Sequence, residues 1–204
     1  EFNLSAGNLG LLGGGYFLGF ALVQIPLGYL LDKSGPKKIV SYFLLIAIIG
    51  MVSFSLSQNF ISLLMSRALI GAGVGACLMG PLTAYRVWFQ DETQQRANSW
   101  MLMTGAIGML SSSLPVQFFL PIIGWRSIFG TLAILTLFCI VLIVIFIPNW
   151  NKENIQNAPE DKGSLKDVWQ NKFFKSLVPM GFFNYGGLFA IQTLWAGPWM
   201  VKVS

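Results

Sequence analysis

The sequence predicts an all-α, polytopic transmembrane helix bundle, on three observations. Only 10% of its 204 residues are charged while 54% are hydrophobic, and the mean hydropathy is +0.65. A soluble domain carries about 25% charged residues, so this chain lacks the charge to coat a surface in water. The apolar residues also fall in long blocks without strand-like alternation, which excludes a membrane β-barrel. Finally, the basic residues gather in loops that share one side. Six blocks meet the roughly 20 residues needed to cross about 30 Å of hydrocarbon: 9–31, 39–56, 60–85, 99–120, 127–147 and 177–201.

In chain order, the first span is rich in small residues, with Gly13, Gly14, Gly15 and Gly19, and is interrupted by Pro26. The second is the shortest and follows Pro36, a residue suited to the first turn of a helix. The third carries Gly71, Gly73, Gly75, Gly80 and Pro81. Gly15–Gly19 and Gly71–Gly75 have the small-xxx-small spacing that lets helix backbones approach closely. The fourth span is the most polar and holds Pro115; the fifth follows a turn before Gly124-Trp125-Arg126. A polar segment, 149–176, then separates five spans from the last. Within it Ser164-Leu165-Lys166-Asp167 reads as a capping box. Leu165, Val168, Trp169 and Phe173 follow at helical spacing, so a short amphipathic helix on the membrane surface is expected. The domain reading is an N-terminal bundle over 1–148, a central loop over 149–176, and the first helix of a second bundle over 177–204.

Charge placement orients the chain. Lys33, Lys37, Lys38, Arg86, Arg96, Lys152, Lys162, Lys166, Lys172 and Lys175 lie in loops on one side, and only Arg126 and Lys202 on the other. That bias makes the basic side cytoplasmic. The net charge of +5 is therefore a topology signal, and no nucleic-acid partner is implied. Cys77 and Cys139 sit in apolar surroundings and the chain has no His, so no disulfide framework, metal site or cofactor is expected.

Two constellations bear on function. Arg67 is the one charge inside a span, where Arg costs about 2.5–3.5 kcal/mol on the insertion scale. Such charges face a cavity or mark a pathway. No Asp or Glu lies within the six spans, so an ion-pair partner for Arg67 belongs to a helix outside this sequence, unless Gln24 or backbone carbonyls serve instead. In the last span Asn184, Gln192 and Trp195 form a polar and aromatic set with Tyr185 and Trp199. Buried amides need partners, so this set is expected to face substrate rather than lipid. The other constellation is the stretch from Gly28 to Lys38. Asp32 ends a helix there against the macrodipole, at a cost of about 0.3–1 kcal/mol, and Gly35 supplies the turn.

That stretch, Gly28-Tyr29-Leu30-Leu31-Asp32-Lys33-Ser34-Gly35-Pro36-Lys37-Lys38, resembles the signature between the second and third helices of the major facilitator superfamily. Leu31 stands where that signature has Ala, Lys33 where it has Arg, and Pro36-Lys37 where its basic pair begins. Arg67-Ala68-Leu69-Ile70-Gly71-Ala72-Gly73 is similar to the fourth-helix motif, and Gly124-Trp125-Arg126-Ser127-Ile128-Phe129 to the start of the sixth helix. The resemblance implies a fragment spanning helices two to seven of twelve, with the first and the last five outside it. It also implies that Asp32 meets Arg86 or Arg96, so that Gly28, Asp32, Gly35, Lys37, Lys38, Arg86 and Arg96 form a conformational gate. The drug-antiporter motif Gly-Pro-x-x-x-Gly-Gly is replaced by Ser111-Ser112-Ser113-Leu114-Pro115 with no Gly pair after it.

The functional expectation is a secondary transporter that works by alternating access. An organic-anion, sugar-phosphate-like or metabolite permease is favoured over drug export. A membrane-embedded enzyme and a non-transporting scaffold or receptor are the rival readings. The expected partners are the lipid bilayer, a small-molecule substrate and a coupling proton or ion. A monomer in the bacterial inner membrane is the expected setting. The topology is testable with single cysteines in intact cells. Positions 37 and 96 should resist a membrane-impermeant thiol reagent added outside, and labelling at either would overturn the assigned orientation.

Overall fold

The computed structural model describes residues 5–149 and 165–191, and all of the long elements it contains are helices. They are α1 (Ala6–Ser34), α2 (Pro36–Leu56), α3 (Phe60–Val74), α4 (Ala76–Trp88), α5 (Asp91–Phe146), α6 (Leu165–Gln170) and α7 (Lys172–Ala190). Four stretches are long and apolar enough to cross a membrane: Gly7–Ser34, Pro36–Leu56, Phe60–Trp88 and Pro115–Phe146. The chain divides into two compact units, Glu1–Ile155 and Gln156–Ser204.

Helix starts follow from the local sequence. The Ser5 hydroxyl accepts the Asn8 N–H at 3.2 Å, and Asn59 Oδ1 accepts the Ser62 N–H at 2.8 Å. Each satisfies a donor that a helix start leaves open. Between α1 and α2 the whole connection is Gly35, at φ 80°, ψ 157°. Its N–H donates to the Leu31 carbonyl at 2.9 Å, and its own carbonyl accepts the Ile39 N–H at 3.3 Å. Gly124 has nearly the same backbone, φ 74°, ψ 161°, and divides α5 into an arm over 91–123 and one over 125–146. This corner of backbone space is essentially reserved for glycine. The first arm contains the expected fourth span and the second contains the fifth, joined by one residue. α3 and α4 form the third expected span, with a turn at Gly75.

In the first unit, α3 packs against both α1 and α2, and α2 also packs against α5. The contact stripes keep helical spacing: Ile39, Phe43, Ala47, Gly50 and Phe54 are buried on α2, and Leu63, Ser66, Ile70 and Gly73 on α3. Lipid tails are as apolar as leucine, so packing of small residues rather than hydrophobic burial must hold such helices together. The glycines do this on both flanks of α3. A side chain at Gly19 would strike the Ala68 carbonyl, and one at Gly71 would strike the Tyr16 carbonyl, so α1 and α3 touch backbone to backbone. On the other flank Gly73 lies against the Ala47 backbone, and a methyl on Gly50 would come within 2.8 Å of the Ile70 nitrogen. Outward-facing Leu18, Leu22, Ile25, Ile49 and Ile134 are exposed, as lipid-facing residues should be.

In the second unit the amphipathic helix is shorter than the sequence spacing suggests. α6 ends at Gln170, because Asn171 starts a new helix by accepting the Phe173 and Phe174 N–H groups at 2.9 and 3.4 Å. Phe173 therefore belongs to α7, which begins at Lys172 rather than at 177. Ser164, the first residue of the expected capping box, lies outside the described residues.

The glycine contacts carry a direct test. Gly71→Ala should destabilise the full-length protein by about 1–3 kcal/mol, the usual cost of overpacking, read as a lower thermal midpoint in detergent. Gly130→Ala should not, since an added methyl there meets nothing within 4 Å. Equal midpoints for the two variants would show that α1 and α3 are free to separate.

Candidate functional site

Arg67 lies on α3, one turn before the Gly71 contact. Its guanidinium stands 4.9 Å from the ring centre of Phe54 on α2 and 5.4 Å from that of Phe129 on the second arm of α5. The two rings lie 4.3 Å apart at an interplanar angle of 41°, and Trp125 meets Phe54 edge-on at 5.5 Å. Arg67 thus faces two neighbouring helices and is half-buried. Its Nε is buried with no hydrogen-bond partner. Ring faces attract a guanidinium, by about 2 kcal/mol or more where water is excluded, but they accept no hydrogen bond of ordinary strength. The charge is held in place, and among the described residues no acid neutralises it.

Gln24 shows the same condition. Its Nε2 is buried without a partner, beside Gly75 where α3 passes into α4. Gly75 lies eight residues after Arg67, roughly 12 Å along a helix at 1.5 Å per residue. Both unpartnered buried atoms described within the spans are N–H donors. A third such atom, Asn98 Oδ1, is an acceptor near the start of α5. Buried donors left unmade are costly in a protein interior, and in native proteins they mark a role or a missing ligand.

Arg126 plays a part that charge counting alone hides. Its Nε donates to the Ser55 carbonyl and its Nη2 to the Ser57 carbonyl, each at 3.1 Å, while the Ser55 hydroxyl donates to the Arg126 carbonyl at 2.9 Å. The guanidinium also lies 4.5 Å from the Trp125 ring centre. The C-terminal carbonyls of α2, which lack partners within their own helix, are thereby tied to the start of α5's second arm. This latch fixes Phe54 and Phe129, and so the floor on which Arg67 rests.

The remaining expected site residues are dispersed. Asp32, Lys38, Arg86 and Arg96 are exposed, and among the described residues Asp32 pairs with neither Arg86 nor Arg96. Lys33, next in the chain, supplies positive charge in α1's last turn and lies 5.8 Å from the Tyr29 ring centre. That placement answers the macrodipole cost locally. Gly28 has open space around it, and Gly35 makes the turn described above. Lys37 donates to Asn149 Oδ1 at 3.1 Å. Asn184 is exposed on α7; Gln192, Trp195 and Trp199 lie outside the described residues. Cys77 and Cys139 are free thiols, and no cluster suited to a metal occurs among the described residues.

A family model described as Major Facilitator Superfamily matches residues 1–202. A probable L-galactonate transporter of Escherichia coli strain K12 is 26% identical over 96% of this chain and 42% of its own length. A nitrate/nitrite transporter of Nostoc punctiforme is 24% identical over 84% of this chain and 35% of its length. A multidrug resistance protein of Escherichia coli is 26% identical over 87% of this chain and 45% of its length. The chain spans less than half the length of these curated relatives.

The Arg126 latch predicts a stability difference that charge alone would not produce. Arg126→Lys keeps the charge and loses the planar fork. It should cost the full-length protein about 1–3 kcal/mol, given about 1.5–3 kcal/mol per hydrogen bond to a charged group. Thermal unfolding in detergent measures it, and a wild-type midpoint would remove the latch.

Proposed function

Because the chain belongs to the major facilitator superfamily, we propose that it is part of a secondary transporter of a small organic or inorganic anion. The carrying observation is Arg67: a cation inside a span, held by two ring faces, with Nε unpartnered and no acidic residue in any span to cancel it. An anionic solute would supply an acceptor that the described residues do not. The planar guanidinium suits a carboxylate, which it binds through two parallel hydrogen bonds. Gln24 adds a second buried donor, and neither group favours a cationic drug. Relatives named for L-galactonate and for nitrate/nitrite agree with this chemistry.

In this reading the two bundles of the whole protein rock about a central site. The segment Gly28 to Lys38, with Arg86 and Arg96, is the hinge on the cytoplasmic side, and Asn184, Gln192 and Trp195 contribute from the second bundle. A coupling proton or ion completes the cycle, and a monomer in the bacterial inner membrane is the working unit. The activity is transport rather than catalysis. Kinship with a protein named for multidrug resistance supports drug export as the competing reading.

Full-length protein in proteoliposomes decides between them. Uptake of radiolabelled galactonate or nitrate is expected, and efflux of a cationic dye is not. Arg67→Lys should insert normally yet lower the transport rate at least ten-fold. Wild-type anion uptake in that variant, or dye efflux without anion uptake, would overturn the proposal.

A further inference from the structure

We infer that the basic end of the first unit holds an anionic phospholipid, in the crevice where α2 begins and where α4 and α5 end. The inference is independent of which solute is carried. A cavity of about 180 Å³ lies there. Its walls include Val40 of α2, Gly80 and Ala84 of α4, and Ile143 of α5, and Lys37 and Trp88, at the start of α2 and the end of α4, line the end we take as its mouth. Gly80 packs directly on Val40, which closes the inner end. From Gly80 to Trp88 is eight helical residues, roughly 12 Å. The crevice therefore runs from headgroup level into the outer part of the hydrocarbon.

Its polarity follows that depth. No charged side chain lines it except Lys37, and the inner walls carry no polar side chain. Lys37 is held at the mouth by its hydrogen bond to Asn149. An ammonium has three donors, so two remain for phosphate oxygens. Tyr85 also lines the crevice, and Lys38 and Arg86 are exposed beside the lining residues Lys37 and Tyr85 in sequence. The acidic residues nearest in sequence, Asp32, Asp91 and Glu92, are not among its walls. A small polar solute would find few polar groups there beyond Tyr85 and Lys37, and a neutral apolar molecule would leave two Lys37 donors unused. A phosphodiester with an acyl chain satisfies both ends, as basic pockets between spans do for anionic lipids.

The test uses delipidated full-length protein, titrated separately with phosphatidylglycerol and phosphatidylethanolamine and read by native mass spectrometry. Phosphatidylglycerol should be retained preferentially. Lys37→Gln should weaken its retention about five-fold, the equivalent of the ~1 kcal/mol that one lysine gains near an anionic lipid surface. Ala84→Phe, which fills the crevice and leaves the charge, should weaken retention of both lipids. Lys38→Gln reports general surface charge and should have the smaller effect. Equal retention of the two lipids by wild type would overturn the inference. So would Lys37→Gln that binds like wild type, or Lys38→Gln that matches Lys37→Gln.

Discussion

The first unit depends on one constraint: α3 must touch both α1 and α2 at backbone distance. In hydrocarbon there is no aqueous penalty to drive helices together. What holds them is close contact, which glycine alone permits at the crossings. Gly19 and Gly71 serve one flank, and Gly50 and Gly73 the other. Both donors of the proposed anion site are positioned by contacts with this helix. Arg67 sits one turn before Gly71, and Gln24 meets the bend at Gly75. Were α3 to stand farther from α2, the Phe54 ring would no longer lie beneath the guanidinium.

Two arginines illustrate how a span without acids manages positive charge. Arg67 is met by rings and Arg126 by backbone carbonyls. A buried ion pair would have fixed Arg67 as well, but its desolvation cost rivals its attraction, and it would have cancelled the charge. Rings hold the group and leave its hydrogen bonds unspent. Arg126 answers carbonyls that α2 leaves open at its end, so its role is structural at the same guanidinium chemistry. The contrast between the two lies in their acceptors, which among the described residues exist around Arg126 and are missing at Arg67 Nε.

Much of this was legible in the sequence. Block length and charge placement gave the helical membrane class, and the Gly-x-x-x-Gly pairs marked close backbone approach without saying which helices meet. Gly35 was readable as a turn from its place between Asp32 and Pro36. Phe54 and Phe129 were not readable as partners of Arg67, because aromatic residues are frequent here and nothing in spacing says which ring stacks on which cation. The Arg126 latch was hidden for a related reason: its acceptors are backbone carbonyls, which every residue has. The motif containing Arg126 signalled that the position mattered without saying how. The break at Asn171 is not legible in the sequence because apolar spacing continues across it, while its side-chain cap ends one helix and begins another. The resemblance implied that Asp32 meets a basic residue, and in this arrangement it remains exposed.

The paired glycine corners have a mechanical meaning. A single residue extends at most about 3.6 Å, so the helices joined at Gly35, and the two arms joined at Gly124, cannot part at those ends. Such a joint transmits push and pull without slack and yields only in torsion. Displacement of α1 along its axis must carry the start of α2 with it, and the same holds for the arms of α5. The couplings at Gly35 and Gly124 inside the first unit are thus stiff along the helix axes and compliant in rotation alone.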